Sequence, residues 1–194
     1  TTISGAVTHT DSSTIDVLTG KTLTYSNAAA VAIGAFPLDL PGAGTIANTG
    51  AINLNHASAV LKVDGTATIS GPVVLALGTL DVNESSTISG AITHIASSTI
   101  DVLTGKILTY SNAAAIDIGA FTLDLPGAGT VANTNAISLG TGSTLLTTGT
   151  ATITGPVILN DGTLDIDENT TISGAVTHTA SSTINVLTGK TLTY

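Results

Sequence analysis

The chain has 194 residues, a net charge of −9 from thirteen acids against four lysines, and no Cys, Met, Trp or Arg. That balance excludes a basic patch for nucleic acid, and nothing here can rest on disulfides. No run of 18 apolar residues offers a helical membrane span, and no apolar spacing of 3.6 residues predicts a helix.

The opening segment Thr1–Tyr25, TTISGAVTHTDSSTIDVLTGKTLTY, returns almost unchanged at Ser86–Tyr110 and again at Thr170–Tyr194, which sets a long period. A shorter period lies inside this one. Ile15-Asp16-Val17 leads to Thr22-Leu23, Leu38-Asp39-Leu40 to Thr45-Ile46, and Leu61-Lys62-Val63 to Thr68-Ile69. Leu80-Asp81-Val82 leads to Thr87-Ile88, Ile100-Asp101-Val102 to Ile107-Leu108, and Leu123-Asp124-Leu125 to Thr130-Val131. Leu145-Leu146-Thr147 leads to Thr152-Ile153, Leu164-Asp165-Ile166 to Thr171-Ile172, and Ile184-Asn185-Val186 to Thr191-Leu192. The apolar anchors of each pair stand eight residues apart, and the steps between successive triplets are nearly equal. A third apolar patch precedes many triplets: Val31 and Ile33, Ile52 and Leu54, Val73 and Leu75, Ile116 and Ile118, Val157 and Leu159.

A unit of about 21 residues is too small to bury a core alone, so it must stack on its neighbours. The sequence therefore predicts an all-β fold, a parallel β-helix or β-solenoid with three short strands per coil. Residues 1–194 form one continuous solenoid, with long repeats at 3–87 and 88–171 and a partial one at 172–194. The alternative is a tandem array of immunoglobulin-like sandwiches, but no linker separates the long units and the eight-residue spacing crosses their boundaries. Alternation within a triplet puts Thr14 and Asp16 outward and Ile15 and Val17 inward. The expected inward column is Ile15, Leu38, Leu61, Leu80, Ile100, Leu123, Leu145, Leu164 and Ile184. The segment between anchors has fixed length, so insertions are expected at the other corners. Ten rows of the second anchor, Ile3 to Leu192, imply a rod of ~43 Å at strand spacing.

The phrases Gly78–Gly90, GTLDVNESSTISG, and Gly162–Gly174, GTLDIDENTTISG, are similar to repeats of filamentous-haemagglutinin-like adhesins and autotransporter passengers of bacteria. The resemblance is compositional and periodic and covers nearly the whole chain. It implies a right-handed β-helix, an extracellular or cell-surface location, and a stalk, fibre or adhesive role. It brings no catalytic residue.

The chemistry-bearing residues are few. His9, His94 and His178 recur once per long repeat, four coils or ~19 Å apart, too far to share a metal, and are read as corner residues, as is the unrepeated His56. Tyr25, Tyr110 and Tyr194, with Phe36 and Phe121, are read as plugs for the wider coils. Lys21, Lys106 and Lys190 sit in Gly-Lys turns, where solubility or a local pair with Asp is expected. Glu84 and Glu168 are separated by a whole long repeat, unlike the paired carboxylates of a glycosidase. Gly-Ala-Gly after Pro41 is a turn and not a phosphate loop, because no helix follows. No catalytic and no cofactor-binding residue is assigned, and the chain is expected not to be an enzyme.

Two outward ladders remain. Asp81, Asp101 and Asp124 stand on three successive coils and are the candidate metal ligands, for Ca²⁺, against the plainer reading of an acidic stripe that discourages lateral pairing. Thr22 and Thr24, Thr152 and Thr154, Thr191 and Thr193, with Thr-x-Ser at 68–70, 87–89 and 171–173, give a Thr-rich face. That face resembles the ice-binding surface of solenoid antifreeze proteins, although Ala47 and Ala132 replace a second Thr and Ile107 a first. The functional expectation is a structural rod segment of an extracellular fibre, sheath or adhesin stalk. The alternative is a binding module for ice, surface polysaccharide or a divalent cation. The expected partners are further repeats or copies of the same protein, joined end to end, because both termini fall at the same phase of the coil.

Overall fold

A computed structural model describes all 194 residues, Thr1–Tyr194. It contains 27 short strands and no helix, and every paired strand is parallel to its neighbour on the next coil. The chain is a β-solenoid with three faces. The Thr face is a ten-stranded sheet from Thr2–Ile3 to Leu192–Thr193, and the triplet face is a nine-stranded sheet from Ser13–Thr14 to Thr183–Val186. The third face carries two four-stranded sheets, one from Val31–Ala32 to Ile92–His94 and one from Ile116–Asp117 to Val176–His178.

Alternation decides what is buried. In Thr79–Val82, Leu80 and Val82 are fully buried while Thr79 and Asp81 lie half-buried on the outer side. The inward residues of all three faces merge into one apolar cluster of 37 buried residues along the rod. Each coil leaves its backbone groups for the next to pair, which is why the fold has 102 backbone hydrogen bonds and no self-sufficient coil.

The predicted inward column is broken in two places. Leu80 lies opposite Ile100, and Leu123 opposite Leu145, but Leu123 lies opposite Ser98, two residues before Ile100. In the same way Leu38 lies opposite Ser13 and not Ile15. The cause is at a corner that the constant anchor spacing hides. After Val102 the chain makes a protruding turn, Leu103–Lys106, in which the Lys106 N–H donates to the Leu103 carbonyl at 2.9 Å and Gly105 takes φ 76°. The turn uses two residues without advancing along the coil, so Ile88 faces Tyr110 and Ser86 faces Leu108. Insertion therefore occurs inside the segment expected to be rigid. An offset of two keeps inward residues inward, so the core tolerates it. The next coil crosses this one at Pro126-Gly127, where a Cβ on Gly127 would collide with the Val102 carbonyl; Gly42 stands in the same relation to Val17.

That long coil also interrupts the third face. The circuit from Ser98 to its partner Leu123 is longer than the one from Leu145 to its partner Leu164. Ile92–His94 and Ile116–Asp117 are neighbours that share no ladder. The Ile92 N–H donates instead to the Tyr110 hydroxyl at 3.4 Å.

Candidate functional site

Three sets of residues that the sequence singled out have members built into the stack, each by a different device. The first is histidine. His94 is not a corner residue. It continues the inward column of Leu54 and Leu75 on the third face and is only 5% exposed. Its Nδ1 lies 2.8 Å from the Ile118 carbonyl across the sheet break, which assigns the proton to Nδ1. Its Nε2 is buried without a partner, and its ring meets Phe121 edge-on at 6.2 Å between centroids. Burial pushes the imidazole pKa below its ordinary value, against the upward pull of the Ile118 and Thr122 backbone groups and of Asp117. His9 occupies the corresponding place in the first coil, with both ring nitrogens unpartnered.

The second set is aromatic. Tyr110 and Tyr25 are buried and fill the wide coils as expected, and burial raises the Tyr110 hydroxyl pKa. Tyr194, on the last rung, is 73% exposed. Phe36 and Phe121 are about two-fifths exposed at the corner between the third and triplet faces and are not plugs. The third set is lysine. Lys106 reaches Glu84 and Lys190 reaches Glu168, each contacting both carboxylate oxygens, at 2.8 and 2.7 Å. The partner is a Glu one coil earlier and not a local Asp. Only Lys62, which has no repeat counterpart, pairs locally, with Asp64.

The acidic column is shorter than the sequence suggested. Asp81 and Asp101 lie opposite each other, but the two-residue offset places Asp124 opposite Thr99, so Asp81, Asp101 and Asp124 do not form one column. Asp124 instead accepts from the Thr148 hydroxyl at 2.8 Å. No cluster of three or more His, Asp or Glu side chains is gathered anywhere in the fold. Asp81 is flanked by Lys62 on the coil before and Asp101 on the coil after. Burial, with the charge of Asp101, raises its carboxyl pKa, although Asn83 donates to it at 3.3 Å. Burial also works to raise Asp64, but hydrogen bonds from Lys62 and Asn83 outweigh it and hold that carboxyl below its usual range.

The Thr face is more regular than the sequence shows. The same offset brings Thr109, and not Ile107, opposite Thr87. Thr22, Thr45, Thr68, Thr87 and Thr109 thus occupy five consecutive rungs of one outward column. A second column holds Thr130, Thr152, Thr171 and Thr193. Ala132 ends the first column and Ile107 begins the second.

Two functional positions in the core were missed. Asn48, which the Thr49-Gly50 after it marks as a turn residue, and Asn133 are both buried. The Asn133 amide donates to the Asn135 carbonyl at 2.8 Å and the Pro156 carbonyl at 3.2 Å and accepts from the Gly155 N–H at 3.0 Å. Asn48 makes the same three bonds to Gly50, Pro72 and Gly71. Their identical phase in the two long repeats was the signal available. Comparison with protein-family models, with curated proteins and with solved structures finds nothing that matches this chain.

Proposed function

We propose that the chain is a structural rod segment of a large extracellular fibre, sheath or adhesin stalk of bacterial type, without catalysis of its own, continued end to end by further repeats or copies. The observation that carries this reading is the single apolar core of 37 residues running through stacked coils, with His94, Tyr110, Lys106 and Asn133 engaged in holding that stack. Such a chain supplies length and stiffness. The test is dimensional. Small-angle scattering should give a rod of ~43 Å, and inserting one more long repeat should lengthen it by ~19 Å, four rungs, at constant cross-section. A larger cross-section without added length would refute the reading.

A second reading rests on the Thr face. Five consecutive Thr in one column form a regular array of hydroxyl and methyl groups spaced ~4.8 Å along the rod. Such an array suits an ordered surface, ice or a crystalline polysaccharide. Ice-recrystallisation assays and glycan arrays test it, and Thr68→Tyr with Thr87→Tyr should abolish any activity found. A Ca²⁺ site at Asp81 and Asp101 would need further ligands from outside the pair, and calorimetry with Ca²⁺ tests it.

A further inference from the structure

The stack is not bonded equally at every step. Where the coil of Ser86–Val102 rests on the one before it, all three faces pair. Thr87 and Ile88 lie opposite Thr68 and Ile69, Ile92–His94 opposite Val73–Leu75, and Thr99–Val102 opposite Thr79–Val82. At the next step the Thr face keeps a full ladder, Ile107–Tyr110 with Thr130–Asn133, but the triplet face pairs only Ser98 and Thr99 with Leu123 and Asp124. The third face pairs nothing there, and no backbone hydrogen bond joins Ile92–His94 to Ile116–Asp117. Side chains cross this seam instead: the Ile92 N–H donates to Tyr110, the His94 Nδ1–H to the Ile118 carbonyl, and the Thr122 N–H to the Ser97 hydroxyl at 3.2 Å. The interior at the seam is also polar. His94, Ser98 and Tyr110 are buried in it, and His94 Nε2 and Ser98 Oγ have no partner. Outside it runs an open groove of about 260 Å³, lined by Thr93, His94, Ala115 and Asp117 among others. The first long repeat shows the same pairing: Ser13 and Thr14 with Leu38 and Asp39, a full ladder of Thr22–Tyr25 with Thr45–Asn48, and Val31–Ala32 at the edge of its sheet.

We infer that this seam is a joint. It opens on the third and triplet faces and hinges on the Thr-face ladder, which alone is complete across it. Opening breaks few backbone bonds, and water that enters from the groove takes over those of Ile92 and His94. It also reaches the two buried atoms that have no partner in the closed state, which offsets part of the loss. The fully paired steps have no such relief and stay closed. The solenoid therefore yields once per long repeat, on the same side each time, and bends toward its Thr face without unfolding. The joint stands on the pairing of the coils alone and holds whatever the rod is used for.

The chain has no Cys, so a single introduced cysteine reports opening through its rate of reaction with a thiol reagent in low urea. Ser98→Cys places the thiol in the seam, where the native hydroxyl is buried and makes no hydrogen bond. Val131→Cys places it on the hinge, opposite Leu108, and Ser143→Cys at the same corner as Ser98 two coils further on; both positions are buried. The Ser98→Cys variant should react at least about tenfold faster than the other two, with a much weaker dependence on urea, because opening the joint exposes little surface. Adding Tyr110→Phe, which keeps the ring and removes the bond to Ile92, should speed the Ser98→Cys reaction about fivefold or more. Reaction of Ser98→Cys at the rate and urea slope of Ser143→Cys would overturn the joint. Indifference to Tyr110→Phe would reduce it to fluctuation of one corner, and equal rates for Val131→Cys and Ser98→Cys would remove the hinge; either result refutes the proposal.

Discussion

Acidification should loosen the solenoid at the break in its third face, and His94 sets the sign. The imidazole is 5% exposed, with Nδ1–H bonded to Ile118 and Nε2 enclosed without a partner. The charged group that acts on it is Asp117, on the following rung; on the preceding rung its register partner is the apolar Leu75. Burial prevails over Asp117 and holds the folded pKa below 6.5. The unfolded chain therefore takes up the proton first as pH falls. The stability contribution of neutral His94 is complete above 6.5 and is lost as pH drops from there to the folded pKa. The slope within that window is at most about 1.4 kcal/mol per pH unit for one proton. Asp64 and Asp81 also titrate on acidification. Asp64, depressed, loses its contribution as pH falls, whereas Asp81, raised, contributes most at low pH. The comparison with His94→Leu removes both from the difference. Leu75 occupies the preceding position of the same column, so leucine fits the site. It forfeits the bond to Ile118, at about 1 kcal/mol, and removes the orphaned Nε2. Urea unfolding from pH 7.5 to 5 should show the native protein falling away from the variant below pH 6.5. Parallel stability curves for the two proteins across that range would refute the argument.

Leu80→Asp buries an unpaired carboxylate in the apolar column and should lower unfolding stability by more than about 4 kcal/mol, while Thr79→Asp next to it should change it by no more than about 1 kcal/mol, both read by urea denaturation. Equal effects would mean that the inward and outward sides are exchanged. Asn133→Ala strands the Gly155 N–H and the Asn135 carbonyl at a corner, while the Pro156 carbonyl keeps the Ile137 N–H, and should lower stability by about 2 kcal/mol, with hydrogen exchange quickening first at Gly155. Gly127→Ala forces a methyl against the Val102 carbonyl and should lower the thermal midpoint, whereas Gly140→Ala, with open space at its Cβ, should leave it unchanged or raise it slightly.

The two periods made the architecture legible before any coordinates. Stacking, three faces, parallel pairing and the inward side of each triplet all follow from a repeat too short to fold alone. The register did not follow, because an eight-residue spacing counts residues and not distance. Ile100 to Leu108 and Leu123 to Val131 have the same length in sequence. Yet Leu108 faces Val131 while Leu123 faces Ser98, since one segment spends two residues on a turn. From that one turn came the error in the acidic column, and from it also the unexpected regularity of the Thr column. Asn48 escaped notice because an Asn followed by Thr and Gly reads as a turn by composition, and Asn133 because nothing in its immediate neighbours marks it. Only the structure shows the amide reaching inward to satisfy the backbone of the next corner. The Lys–Glu pairs were missed for a related reason: their partners lie 22 residues apart in sequence.

The long period has a physical cause that bears on function. A solenoid of equal coils would need only apolar inward residues and would show no period beyond the coil. Here one coil in four carries the protruding turn at Leu103–Lys106 and a wide approach to the third face, so the ladder there cannot close. An open ladder in a core strands backbone groups, and burying them unpaired would cost about 1–3 kcal/mol each. Side chains able to bond across the gap are therefore required at that coil. Tyr110 receives the Ile92 N–H and His94 reaches the Ile118 carbonyl, while Lys106 ties the protruding turn back to Glu84. These residue types, which recur once per long repeat, are what the long coil demands. Their recurrence thus needs no ligand to explain it. A ligand hypothesis for this chain has to rest instead on the outward Thr and Asp columns, whose side chains the core does not use.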